Sequence, residues 1–103
     1  MNQSKPYKIE IENKIVYLHL QEILDNNSFV EIGDYLEENA PLKEVHIDML
    51  ELKLIDTFEP LLFYDVERYL LQEGKLFIRC AGRVREIIEL MLPLSKETIL
   101  LSS

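Results

Sequence analysis

Apolar residues along this chain recur with a period of two and then of three to four, in alternation, and only strands layered against helices bury both patterns. Tyr7, Ile9 and Ile11 alternate with Lys8 and Glu10, the pattern of a half-buried strand over 7–11. Glu12, Asn13 and Lys14 make a short polar turn into a second strand over 15–20, so the two form a hairpin. Ser28 and Glu31 make an S-x-x-E capping box. Phe29, Ile32 and Leu36 then recur at helical spacing, with Asp34, Glu37 and Glu38 outward, in a first helix reaching Asn39.

Beyond Ala40 and Pro41 a third strand is expected over 44–49, and residues 50–55 carry the chain to Asp56 and Thr57. Either residue can cap a helix, and Pro60 is tolerated in a first turn whose N–H groups lack intrahelical partners. Phe58, Leu62, Val66, Tyr69 and Leu70 form an apolar stripe closed by Gly74, in the position just past a helix C-terminus, which gives a second helix over 58–73. A fourth strand over 75–80 leads through Ala81 and Gly82 into Val84, Ile87, Ile88, Met91 and Leu92, a third helix stopped by Pro93. Residues 98–101 supply a short last strand.

This order predicts an α/β fold: a mixed sheet of four to five strands with about three helices mainly on one face, joined by right-handed crossovers. Val45, Ile47, Leu62, Val66, Phe77, Ile87, Ile88 and Met91 are its expected core. With 103 residues the chain supports one domain, 1–103, around one core, and residues 1–6 read as a disordered leader.

Nineteen Asp and Glu against eleven Lys and Arg leave a formal charge of −8. Such a chain lacks the basic footprint for a phosphate backbone and is repelled by anionic lipid headgroups, so neither nucleic acid nor direct membrane binding is expected. No uncharged apolar run approaches the roughly 18 residues of a membrane span, and no apolar signal segment follows the N-terminus, which suggests a cytoplasmic protein.

Chemistry-bearing constellations are sparse. The glycines at 33, 74 and 82 are scattered and form no phosphate loop. Cys80 is the sole cysteine, and His19 and His46 are too far apart for a helical ligand pair, so no metal, cofactor or catalytic residue is assigned. Asp25, Asp48 and Asp56 each fall near the C-terminal end of an expected strand, the edge where open α/β sheets place their sites. They either converge there or serve separately as turn residue, strand end and helix cap. Thr57, at the start of the second helix, is either a plain cap or a hydroxyl held where free N–H groups favour an anion such as phosphate.

Element order and local sequence together resemble the STAS domain, over roughly residues 7–92. The segment 45–49 followed by Leu54-Ile55-Asp56-Thr57 is similar to the family's hydrophobic strand and hydrophobic-Asp-Ser/Thr phosphorylation motif. Leu24-Asp25 looks like the Leu-Asp after the family's second strand, Gly74 to Ile78 like the entry to its next strand, and residues 84–90 like its third helix. Anti-sigma factor antagonists of the family commonly read Asp-Ser-Ser/Thr-Gly where this chain reads Asp56-Thr57-Phe58-Glu59. The larger residues after the acceptor look closer to stressosome-type STAS proteins.

The resemblance implies a non-enzymatic regulatory binding module, an anti-sigma factor antagonist-like partner switch. Thr57 would be the phosphorylation site, and Asp25, Asp56, Thr57, Phe58 and Glu59 the partner surface. The partner would be a serine/threonine kinase acting as anti-sigma factor, or another STAS protein, with a homo-oligomer also compatible. Alternatives are a STAS accessory subunit of a membrane transporter, or a small-ligand sensor using a crevice between the first helix and the sheet.

Overall fold

The chain turns back on itself at Asn13 and Lys14, both in left-handed backbone with φ of 53° and 67°. Positive φ at both central residues gives a hairpin turn whose twist matches that of the strands it joins. It pairs β1 (Tyr7–Glu12) antiparallel with β2 (Ile15–Leu20), setting Tyr7 opposite Leu20 and Glu12 opposite Ile15. The computed structural model describes residues 5–91 and 97–101. It continues with α1 (Asn26–Asn39), β3 (Leu42–Asp48), α2 (Phe58–Tyr69), β4 (Leu70–Arg79), α3 (Gly82–Met91) and β5 (Glu97–Leu101).

The five strands lie side by side in chain order, and β2 through β5 are mutually parallel. Each crossover therefore steps the same way across the sheet, and right-handed crossovers that step one way place their helices on one face. The packing agrees. Val16, Leu18 and Leu20 of β2, Val45 and Ile47 of β3, and Leu76 and Ile78 of β4 share one core with Ile32 and Leu36 of α1, Leu62, Phe63 and Val66 of α2, and Val84 and Ile88 of α3. This is the mixed sheet with helices on one face that the pattern of periods predicts.

Several expectations are corrected. Phe77 is not in the core: Leu76 and Ile78 take the inward positions of β4, and Phe77 lies half-buried on the opposite face, in register with His46. With apolar residues at both parities over 76–78, the strand does not announce which face is buried. Ile87 and Met91 are half-buried, whereas Val84 and Ile88 carry the inner stripe of α3.

The second helix ends at Tyr69, not at 73, and Gly74 is not its cap. Leu70 is extended, buried and paired with Leu42, and the next matched pair is Glu44 with Lys75, so the extra residues of β4 bulge outward. A Cβ on Gly74 would lie 2.9 Å from Leu70 Cδ2 and from the Leu71 carbonyl oxygen. Glycine is thus required there by close approach, and the expected helix-stop signal belongs to a bulge.

The first helix begins at Asn26 with Asp25 as its cap. Ser28 N–H donates to Asp25 Oδ1 at 2.7 Å, so the cap lies three residues before the expected one. Glu31, freed from capping, accepts from the Tyr7 hydroxyl at 2.6 Å and pairs with Lys5 at 3.3 Å, tying α1 to β1. The last residues of the expected leader are likewise held: the Pro6 carbonyl accepts from Gln21 N–H at 2.8 Å and Glu22 N–H at 3.2 Å. Residues 1–4, Leu92 and Pro93 lie outside the described residues.

Candidate functional site

The parallel strands β2 and β3 deliver their loops to one edge of the sheet, where the chain must leave extended backbone and enter a helix. Both loops close on the side chain of Glu59, in the first turn of α2 and fully buried. Its Oε2 accepts from Leu24 N–H at 2.7 Å and its Oε1 from Asp56 N–H at 2.7 Å. One carboxylate thereby joins the end of the β2–α1 loop to the start of α2. A buried carboxylate is costly unless fully hydrogen-bonded, and both oxygens are satisfied here. The position near the α2 N-terminus also suits its charge.

This clamp places Asp25 and Asp56, each following or holding one of the clamped amides, on neighbouring loops at the same edge. Both side chains are exposed. Asp25 caps α1, and the donation from Ser28 holds its carboxyl below the ordinary carboxylate range. Thr57 is exposed too, with helical backbone (φ −74°, ψ −45°) and no side-chain capping bond. Its hydroxyl reaches only Asp56 Oδ1, at a long 3.4 Å, so the plain-cap reading of Thr57 fails. The back-bond from Glu59 to the Asp56 amide is half of a capping box three residues long, and Asp56-x-x-Glu59 is its signal in the sequence.

Phe58 is half-buried, its ring 5.2 Å from that of Phe29, so the first turns of α2 and α1 touch through aromatic contact. Around them Ile23, Val30, Leu54 and Leu61 are exposed, Leu54 at 51% and Leu61 at 44%. The edge is therefore an apolar surface bearing two carboxylates and the exposed Thr57 hydroxyl. Glu59, expected at the centre of the surface as a charge, lies beneath it.

Asp48 does not converge with the other two aspartates. It lies half-buried on the far face of the sheet, in register with His19 and Arg79, and its Oδ1 accepts from Leu50 N–H at 3.0 Å. His19 is engaged with Glu51, and His46 Nε2 is 2.9 Å from Glu44 Oε1. Among the described residues no group of three or more His, Cys, Asp or Glu is placed to hold a metal ion. Burial pushes the Cys80 thiol up, away from the reactive thiolate. Ile32 and Leu36, on the face of α1 toward the sheet, are both fully buried. No described helix is long and apolar enough to cross a membrane.

No protein-family model and no curated protein matches the chain. Solved structures do. An anti-sigma factor antagonist from Mycobacterium paratuberculosis superposes with a TM-score of 0.67 at 11% identity, covering 94% of this chain and 85% of that one. The anti-sigma factor antagonist SpoIIAA in its unphosphorylated form superposes with a TM-score of 0.66 at 11% identity, covering 94% and 88%. The chain has the STAS-type fold of these antagonists: a five-stranded mixed sheet with three helices.

Proposed function

We propose that this domain is a non-enzymatic, cytoplasmic regulatory module of the STAS family that binds a protein partner through the edge formed by the β2–α1 loop and the start of α2. The observation that carries the reading is the exposed Thr57 hydroxyl at the head of α2, uncommitted to capping and flanked by Asp56. A phosphoryl group there would gain from the helix N-terminus while adding about −1.5 to −2 charge beside two carboxylates. Phosphorylation is then tolerated by the fold and felt by the partner. That the SpoIIAA structure is of an unphosphorylated form supports the same kind of control in this chain. The partner of this reading is a serine/threonine kinase acting as anti-sigma factor, or another STAS protein.

Affinity capture from native cells identifies the partner, and Thr57 variants then test the switch. Because the hydroxyl makes no capping bond, Thr57→Ala and Thr57→Asp should both leave stability within about 0.5 kcal/mol of wild type. Thr57→Asp should weaken the captured partner and Thr57→Ala should abolish phosphate incorporation by the partner kinase. If both variants bind as wild type does and the kinase leaves Thr57 unmodified, the edge is not a phosphorylation switch.

A further inference from the structure

The sheet face opposite the helices holds a trough of about 410 Å³, within the range of about 300–1,000 Å³ typical of small-molecule sites. One wall is a row of rings on adjacent strands. Tyr17 and His46 stack at 4.7 Å and 21°, and His46 and Phe77 at 4.5 Å and 6°. These separations match the strand spacing of about 4.8 Å, so the rings stand upright, face to face, and turn their edges toward the trough. The other wall is the next row of the sheet, in which Lys8, His19, Asp48 and Arg79 are successive register partners.

Asp48 and Arg79 sit side by side on β3 and β4 yet form no ion pair, and no other described carboxylate comes within ion-pair reach of Arg79. Asp48 commits Oδ1 to Leu50 N–H, which leaves Oδ2. His19 is already engaged by Glu51. The trough thus sets Asp48 Oδ2 and the Arg79 guanidinium on adjacent strands, beside a wall of aromatic edges, with Lys8 and Glu10 of the edge strand β1 at its far end.

We propose that this trough binds a free α-amino acid with an aromatic side chain. Its carboxylate pairs with the Arg79 fork, its ammonium with Asp48 Oδ2, and its ring lies across the edges of Tyr17, His46 and Phe77. Opposite charges on one carbon match opposite charges on neighbouring strands, a demand no longer peptide meets with its two distant termini. Ring edges are electropositive and ring faces electronegative, so a ligand ring presenting its face gains where an aliphatic chain does not. A second copy is the competing occupant, because a two-fold along the strands midway between β3 and β4 sets Asp48 of each copy over Arg79 of the other, and the test below separates the two. The site is independent of the partner edge, which belongs to the loops and helices on the other side.

Calorimetric or NMR titration of the full chain with L-phenylalanine tests the proposal, alongside 3-phenylpropanoate and phenethylamine, which each lack one of its charges. Arg79→Gln removes the fork, and Asp48→Asn keeps an oxygen for Leu50 while removing the charge. Saturable binding of L-phenylalanine is expected, weakened at least about tenfold for each analogue and in each variant, with both variants folded by thermal melting. Absence of saturable binding of L-phenylalanine, L-tyrosine and L-tryptophan up to about 10 mM would overturn it. So would wild-type affinity in either variant, or a concentration-dependent dimer that both variants abolish.

Discussion

Glu59 holds two backbone amides from different loops on one buried carboxylate, so its loss strands both. An unsatisfied buried donor costs about 1–3 kcal/mol, and Glu59→Ala should therefore destabilise the fold by about 2–5 kcal/mol in chemical denaturation. Glu59→Gln retains one acceptor and turns an NH2 toward the other amide, so its cost should be about half as large. A change under about 0.5 kcal/mol in Glu59→Ala would mean that water replaces the carboxylate. The exposed Asp25 reports through pH instead. Ser28 holds its carboxyl below the ordinary range, so the unfolded chain takes up the proton more readily than the folded one. Its contribution is complete above the ordinary carboxylate value and is lost as pH falls through the depressed one. Glu31, lowered by the Tyr7 hydroxyl and Lys5, acts in the same direction, whereas burial raises the Asp65 carboxyl and favours the fold on acidification. Asp25→Asn keeps a good cap without the titration, so its melting temperature should fall less steeply than wild type below about pH 4.

At the scale of elements, two backbone devices make opposite predictions. Gly74 lies in the β4 bulge with no room for a Cβ against the Leu71 carbonyl, so Gly74→Ala should cost about 1–3 kcal/mol. Lys14 bears left-handed backbone that glycine adopts freely, and its Nζ bond to the Asn39 carbonyl at 3.0 Å is exposed. Lys14→Gly should stabilise the hairpin by about 0.5–1 kcal/mol, read as a rise in denaturation midpoint. Legibility also differed by element. The period-two runs and amphipathic stripes locate each strand and helix among the described residues, because burial on one face leaves its mark on local spacing. The caps and stops were misplaced, because Asp25 and Ser28 are both good caps and Gly74 suits a bulge as well as a helix end; the choice lay with distant contacts from Glu31 to Tyr7 and from Leu70 to Leu42.

For the whole molecule, packing on one side of the sheet concentrates stability in few inward stripes. Ile88 is fully buried, and Ile88→Ala should cost about 2–5 kcal/mol. Leu90, two residues on and 84% exposed, should tolerate alanine within about 0.5 kcal/mol. Equal effects in thermal unfolding would contradict the seating of α3 against the sheet. The same one-sidedness leaves the row of Tyr17, His46 and Phe77 uncovered by any described helix, which is why Phe77, placed in the core by hydrophobicity alone, lies outside it.

What the sequence determined by itself is the order of elements, the direction of the crossovers, the location of Asp25 after the second strand and that of Asp56 and Thr57 at a helix start. Each follows from local periodicity and from the handedness of polypeptide chains, which need no knowledge of distant residues. Tertiary structure alone decided that Glu59 is a buried clamp between loops 35 residues apart, that Asp48 stands on the far face, and that Phe77 stacks on His46. A carboxylate in a first helical turn has the same local spacing whether it faces solvent or a facing loop. Which of these it meets is set by strand pairing between segments that share no sequence neighbourhood.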